Sequence, residues 1–125
     1  RSSDLDLKRE GALSLHAAGV CLELSLKAPG FAVEPGQAVA LAYRESRLRR
    51  DVRSSCGADG PLQRIERYWP GDAVEAGLRA MAYYQRRYPQ NWFCHYTGRG
   101  PTCKIPSRFG VKFAGRKATS RPKAR

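Results

Sequence analysis

Glu45 is the residue best placed to do chemistry. It lies in AVALAYRESRL, with Leu41 four residues before it and Leu48 three after, so a helix there sets it on an apolar line. A carboxyl drawn away from open water loses hydration when charged and keeps its proton closer to neutrality. General-acid cleavage of a glycosidic bond requires such a group. The plainer alternative is a Glu paired with Arg49 one turn on, or with Arg44 or Arg47, that only solvates a helix edge. Asp51 and Asp59 follow soon after, but no spacing ties them to Glu45. His16 and His95 lack metal-ligand spacing and no C-x-x-C is present, which argues against zinc. Cys94 stands beside His95, but sequence neighbours rarely meet in the geometry that thiol catalysis needs.

The other cysteines are Cys21, Cys56 and Cys103. An even count in a small basic chain points to an oxidising compartment and two disulfides. The pair Cys94–Cys103 encloses the turn-forming TGRGP, and Cys21–Cys56 would then tie the N-terminal segment to the middle.

The elements that must position these residues are unevenly legible. Segment 11–28 reads two ways. Leu13, Leu15, Val20, Leu22, Leu24 and Leu26 alternate like a hairpin, while Leu13, Ala17, Val20 (or Cys21) and Leu24 fit one helical face. A Pro-Gly-punctuated loop follows, then a helix opened by Gly36 or Gln37. Asp72 and Glu75 form a capping-box pattern that starts another helix, with Val74, Leu78, Met81 and Ala82 as its buried stripe, Tyr84 or Tyr88 extending it and Pro89 ending it. PGQAVALAYRE and PGDAVEAGLRA agree at five of eleven positions, which is shared helix-start grammar rather than a repeat array. A further short helix is expected from Ser107, and GRKATSRPKAR reads as a mobile tail.

The 125 residues suit one domain with a modest core. No apolar run is long enough for a transmembrane helix. The start, RSSDLDLKRE, does not read as a targeting segment. Net charge is +12, and its distribution is one-sided: residues 1–75 hold 11 basic and 11 acidic side chains, while the last 50 hold 12 basic and none acidic. Such a half attracts polyanions, whether nucleic acid, anionic lipid or an acidic wall.

Four segments in order carry a resemblance: ALAYRESRL, SSCGADGPLQ, AVEAGLRAMAYY and CHYTGRG. Together they resemble the soluble lytic transglycosylases of the lysozyme superfamily, over roughly residues 37–100. That family has a Glu-Ser helix, a Gly-x-x-Gly-Leu-Met-Gln loop, a helix with an Ala-Gly pair and an Ala-Tyr-Asn-x-Gly segment. On this resemblance Glu45 matches the single catalytic acid, and Ser46 the serine that lies in the cleft. Gly57, Gly60, Leu62 and Gln63 match the loop whose Gln lines the sugar subsites, with Pro61 in place of Leu and Leu62 in place of Met. Tyr96 matches the Tyr near the acid, and Thr97 stands where Asn is usual, with Gly98 or Gly100 at the Gly position.

The resemblance implies an all-α, lysozyme-like small helical domain over 1–115, with 11–28 as helix, disulfides, and a basic tail over 116–125. It implies cleavage of the MurNAc-GlcNAc β-1,4 bond in peptidoglycan glycan strands to a 1,6-anhydro product, in the periplasm or outside the cell, with no cofactor or metal. Attack by water instead would make the enzyme a lysozyme. Tyr83, Tyr84, Tyr88 and Tyr96 could stack on sugar or fill core, Trp69 and Trp92 could be core, and Gln63 could be surface. The tail and the acid-free half would hold an anionic wall or envelope surface. The rival readings are a non-catalytic peptidoglycan-binding module and a basic secreted nuclease or nucleic-acid binder.

Overall fold

The computed structural model describes residues 3–99, 103–106 and 109. The short helix expected from Ser107 and the tail over 116–125 lie outside the described residues. Helix dominates: α1 (Ser3–Lys27), a 3-10 turn (Ala28–Phe31), α2 (Pro35–Ser46), α3 (Ala73–Arg87) and α4 (Trp92–Tyr96), with β1 (Ala58–Asp59) and β2 (Arg64–Ile65) between α2 and α3. The chain packs as two compact units, Arg1–Leu78 and Arg79–Arg125, whose boundary falls inside α3. No helix among the described residues is long and apolar enough to cross a membrane.

In the first unit, the ambiguous N-terminal segment is helix, and α1 begins eight residues before the expected start at residue 11. Val20 and Leu24 bury one edge of it, and Ala28, the first residue of the 3-10 turn, is buried as well. Helix α2 opens one residue before the expected Gly36. The Glu34 carboxylate caps it by accepting from the Gln37 N–H at 2.9 Å, and Pro35 fills the first turn, where a missing N–H costs nothing. Ala38, Leu41 and Ala42 face inward.

The strands form a two-stranded antiparallel hairpin in the register Ala58↔Ile65 and Asp59↔Arg64. Its turn needs Gly60, which adopts φ +80, and a Cβ there would stand 2.7 Å from the Ala73 Cβ. Leu62 is fully buried, and a Cβ on Gly77 would meet its side chain at 2.8 Å, so α3 lies directly on the turn. The Asp72 carboxylate accepts from the Glu75 N–H at 3.0 Å, the expected helix start. The Glu75 carboxylate lies 3.2 Å from Lys27 Nζ, linking α3 to α1.

In the second unit, Met81, Ala82, Trp92, Phe93 and Phe109 are buried. Phe109 stacks on Phe93 at 4.6 Å and meets Trp92 edge-on at 5.8 Å. The disulfide Cys94–Cys103 forms as expected, with Cα atoms 5.9 Å apart.

The second expected disulfide does not form: Cys21 and Cys56 are free thiols. The loop after α2 reaches α1 on the His16 and Glu23 edge, where the Arg50 N–H donates to His16 Nε2 and its guanidinium pairs with Glu23. Cys21 is five residues beyond His16, roughly 140° around the helix. The buried Val20–Leu24 edge lies between that side and the loop. Cys56 is exposed on a turn held by Ser54, whose Oγ accepts from the Cys56 and Ala58 N–H groups.

Candidate functional site

Glu45 continues the inward line of α2, four residues after Leu41 and three after Ala42. It is half-buried where those residues are fully buried, so the core stripe of α2 ends in a carboxylate at its rim. The helix ends at Ser46, so Leu48 lies outside it and does not share the helical line expected from its spacing. Arg47 and Leu48 are both left-handed, with φ +57 and +59. Their N–H groups cap the Tyr43 and Ala42 carbonyls at 2.9 and 3.3 Å. The exposed Arg47 guanidinium folds back over Tyr43, donating to its hydroxyl at 2.8 Å.

Ser46 connects this helix end to the hairpin. It is buried, and its Oγ donates to the Pro61 carbonyl at 2.7 Å and lies 3.0 Å from the Ala42 carbonyl. One hydroxyl thus reaches from the residue beside Glu45 to the turn that carries Gln63. Gln63 is itself left-handed at φ +54, and its Nε2 donates to the Val52 and Gly60 carbonyls, each at 2.9 Å. Its amide N–H₂ therefore holds the loop together. Gly57, at φ +93, makes the turn into β1.

Arg64 has a role that the sequence reading missed. It is 5 % exposed, and its guanidinium donates to the Trp69 and Gly71 carbonyls at 3.0 Å while Nε lies 3.0 Å from Asp59 Oδ1. Asp59 also pairs with Arg53 at 3.2 Å. A carboxylate held between two guanidinium groups is a strut for the hairpin rather than a partner acid for Glu45. The signal for it was an acid and a base five residues apart around a Gly-Pro turn.

Charge also braces the scaffold. Arg50, donating to Glu23, and Lys27 beside it hold the Glu23 carboxyl below its usual range against the opposing effect of burial. Lys27, bridging Glu23 and Glu75, is raised by those two carboxylates.

Glu45, Ser46, Gly57 and Gln63 fall in the first unit, and Ser46 is in direct contact with the Gln63 turn. Tyr96 and Thr97 belong to the second. There, Tyr96 is half-buried, edge-on to Tyr84 at 5.8 Å. Thr97 Oγ1 donates to the Phe93 carbonyl at 2.8 Å, so its hydroxyl caps α4. Burial, then the neighbouring Tyr83 and Tyr88, raise the Tyr84 phenol above its usual value. Among the described residues, no group of three or more His, Cys, Asp or Glu side chains is placed to hold a metal ion. Comparison of the chain with protein-family models, with curated proteins and with solved structures finds no match.

Proposed function

We propose that this chain is a lysozyme-like, peptidoglycan-cleaving glycosidase of the lytic transglycosylase type, with Glu45 as its single acid and base. The observation that carries the reading is the Ser46–Pro61 hydrogen bond. It joins a Glu-Ser helix end to a Gly-turn-Gln hairpin, two of the four segments that carry the resemblance. Glu45 stands half-buried at the end of an apolar line, still open in part to solvent and so to a substrate, as a general acid must be. The engagement of Asp59 by Arg53 and Arg64 favours a one-carboxylate mechanism over the usual glycosidase pair.

In that mechanism Glu45 donates its proton to the glycosidic oxygen as the C1–O bond breaks, with the N-acetyl group of the substrate assisting. The resulting carboxylate takes the proton of the muramyl 6-hydroxyl as that oxygen bonds to C1. The product is a 1,6-anhydro sugar, and Glu45 regains its proton. Tyr96 and Thr97 enter this reading through the resemblance, as substrate contacts. A periplasmic or extracellular location suits both the substrate and the Cys94–Cys103 disulfide.

The test is digestion of purified sacculi by the wild type and by Glu45→Gln, with mass analysis of the products. The expected result is a muropeptide one water lighter than the hydrolysed form, with release falling roughly 10²–10⁴-fold in the variant. A product of hydrolysed mass would make the chain a lysozyme. Wall binding with no release by either protein would overturn the enzyme and leave a binding module.

A further inference from the structure

The outer face of α3 in the second unit has a composition that the proposed chemistry does not use. Arg79, Tyr83, Arg86 and Arg87 recur at i, i+4, i+7 and i+8, which is one stripe of a helix. All four are exposed, Tyr83 at 40 %, while Met81, Ala82 and Gln85 on the other sides are buried. The stripe is roughly 12 Å long. Glu75, one turn before Arg79, is the last acid of the chain, so no Asp or Glu flanks the Arg86–Arg87 end of the stripe in sequence.

Its parts are set in place from beneath. The Tyr83 ring stands edge-on to Tyr84 at 5.2 Å and 80°. The Arg87 guanidinium sits over the Tyr88 ring at 5.4 Å, and Tyr88 stacks on His95 at 3.6 Å. An exposed ring between cations on a buttressed helix offers a flat apolar face and forked donors in alternation.

We propose that this face is a second, non-catalytic hold on the carboxylate-bearing glycan strand, engaging the wall polymer apart from the bond being cleaved. The inference rests on the reading of the chain as a peptidoglycan-acting protein. The guanidinium groups match carboxylates in a bidentate fork, and the Tyr83 face matches the C–H face of a pyranose ring. A glycan strand with acidic substituents on alternate sugars presents rings and carboxylates in turn, as the stripe presents its complements. A single-stranded nucleic acid groove instead offers successive rings to successive bases, whereas this stripe exposes one ring among three cations.

The test measures binding apart from cutting, using the full chain carrying Glu45→Gln. Co-sedimentation with purified sacculi is compared with neutral chitin and with single-stranded DNA. Arg86→Gln/Arg87→Gln should weaken sacculus binding about tenfold at about 50 mM NaCl, and the difference should close at about 1 M. Tyr83→Ala should weaken it at both salt concentrations, since ring stacking is not screened. Far-UV circular dichroism checks that each variant is folded. Unchanged sacculus binding in both variants overturns the proposal. Tighter binding to DNA than to sacculi, weakened by the same substitutions, assigns the face to nucleic acid and overturns it too. Failure of the wild type to release muropeptides would sink the enzymatic reading alone, because this measurement does not depend on turnover.

Discussion

Ser46→Ala removes one oxygen and tests the link between the candidate acid and the hairpin. Ser46 is 5 % exposed, and its Oγ bridges to the buried Pro61 carbonyl at 2.7 Å. Deleting the hydroxyl leaves that carbonyl without this donor, at a cost of about 1–3 kcal/mol. The Arg49 N–H also loses an acceptor at 3.2 Å, but it retains the Ser46 carbonyl at the same distance, so little is added there. The higher helix propensity of alanine offsets a few tenths of a kcal/mol. A net loss of about 2 kcal/mol lowers Tm by roughly 6–12 °C in a domain of this size. Catalysis should suffer separately. With the tether gone the turn can shift against Glu45, and a displacement of about 1 Å is worth roughly a 10²-fold loss in kcat/KM. Urea unfolding reads the first effect, and muropeptide release well below the variant's Tm, where the chain is folded, reads the second. The reasoning is refuted if stability falls by less than about 0.5 kcal/mol, the range of ordinary surface substitutions. The functional part is refuted if release declines only in proportion to the unfolded fraction.

Other outcomes follow from single features. Cys94→Ser/Cys103→Ser opens a closed loop of sequence separation 9 and should lower stability by about 2–3 kcal/mol in chemical denaturation, with reductant producing the same loss in the wild type. The Glu23 carboxyl is lowered below 4.5 in the folded chain, so its stabilising effect is present above that value and fades as pH falls through the folded pKa. Glu23→Gln should therefore flatten the acid limb of a Tm-against-pH profile while lowering Tm near neutrality. Lys27 is raised above 10.5, so its contribution is complete below that value and is lost as pH climbs through the folded pKa. Deleting GRKATSRPKAR should weaken wall co-sedimentation at low salt more than it slows cleavage of a short soluble glycan, and equal effects on both would refute a binding role for the tail.

The parts of the fold that could be read from sequence were those with one dominant signal. Asp72 before Val74, Leu78 and Met81 marks both the start and the buried side of α3. Helix α1 resisted reading because it is apolar on two sides. Leu15, Leu22 and Leu26 are 77 %, 60 % and 72 % exposed while Leu24 is buried, and Leu22, Leu24 and Leu26 together mimic the alternation of a strand. The Glu34 cap was hidden because glutamate is an uncommon capping residue and Pro-Gly drew attention to the following position. Cysteine parity suggested two disulfides because it counts thiols without asking which side of a helix each occupies. At the candidate site the residue types were legible and some of their tasks were not. The Ser46 hydroxyl and the Gln63 amide look from sequence like substrate contacts, yet both are engaged by backbone carbonyls. In sequence a lone arginine in a turn reads as surface, and only the Trp69 and Gly71 carbonyls reveal Arg64 as interior.

The paired left-handed residues after Glu45 set stability against geometry. Neither Arg47 nor Leu48 is glycine, and each left-handed position carries about 1–2 kcal/mol of steric cost, so the reversal holds roughly 2–4 kcal/mol in two residues. That is a sizeable share of the 5–15 kcal/mol by which a typical domain is stable. A chain shaped for endurance alone would place glycine there. Arg47 instead brings a guanidinium folded over Tyr43, two residues from the candidate acid. Glycine at this corner would stabilise the protein, and that gain trades against whatever the arginine contributes.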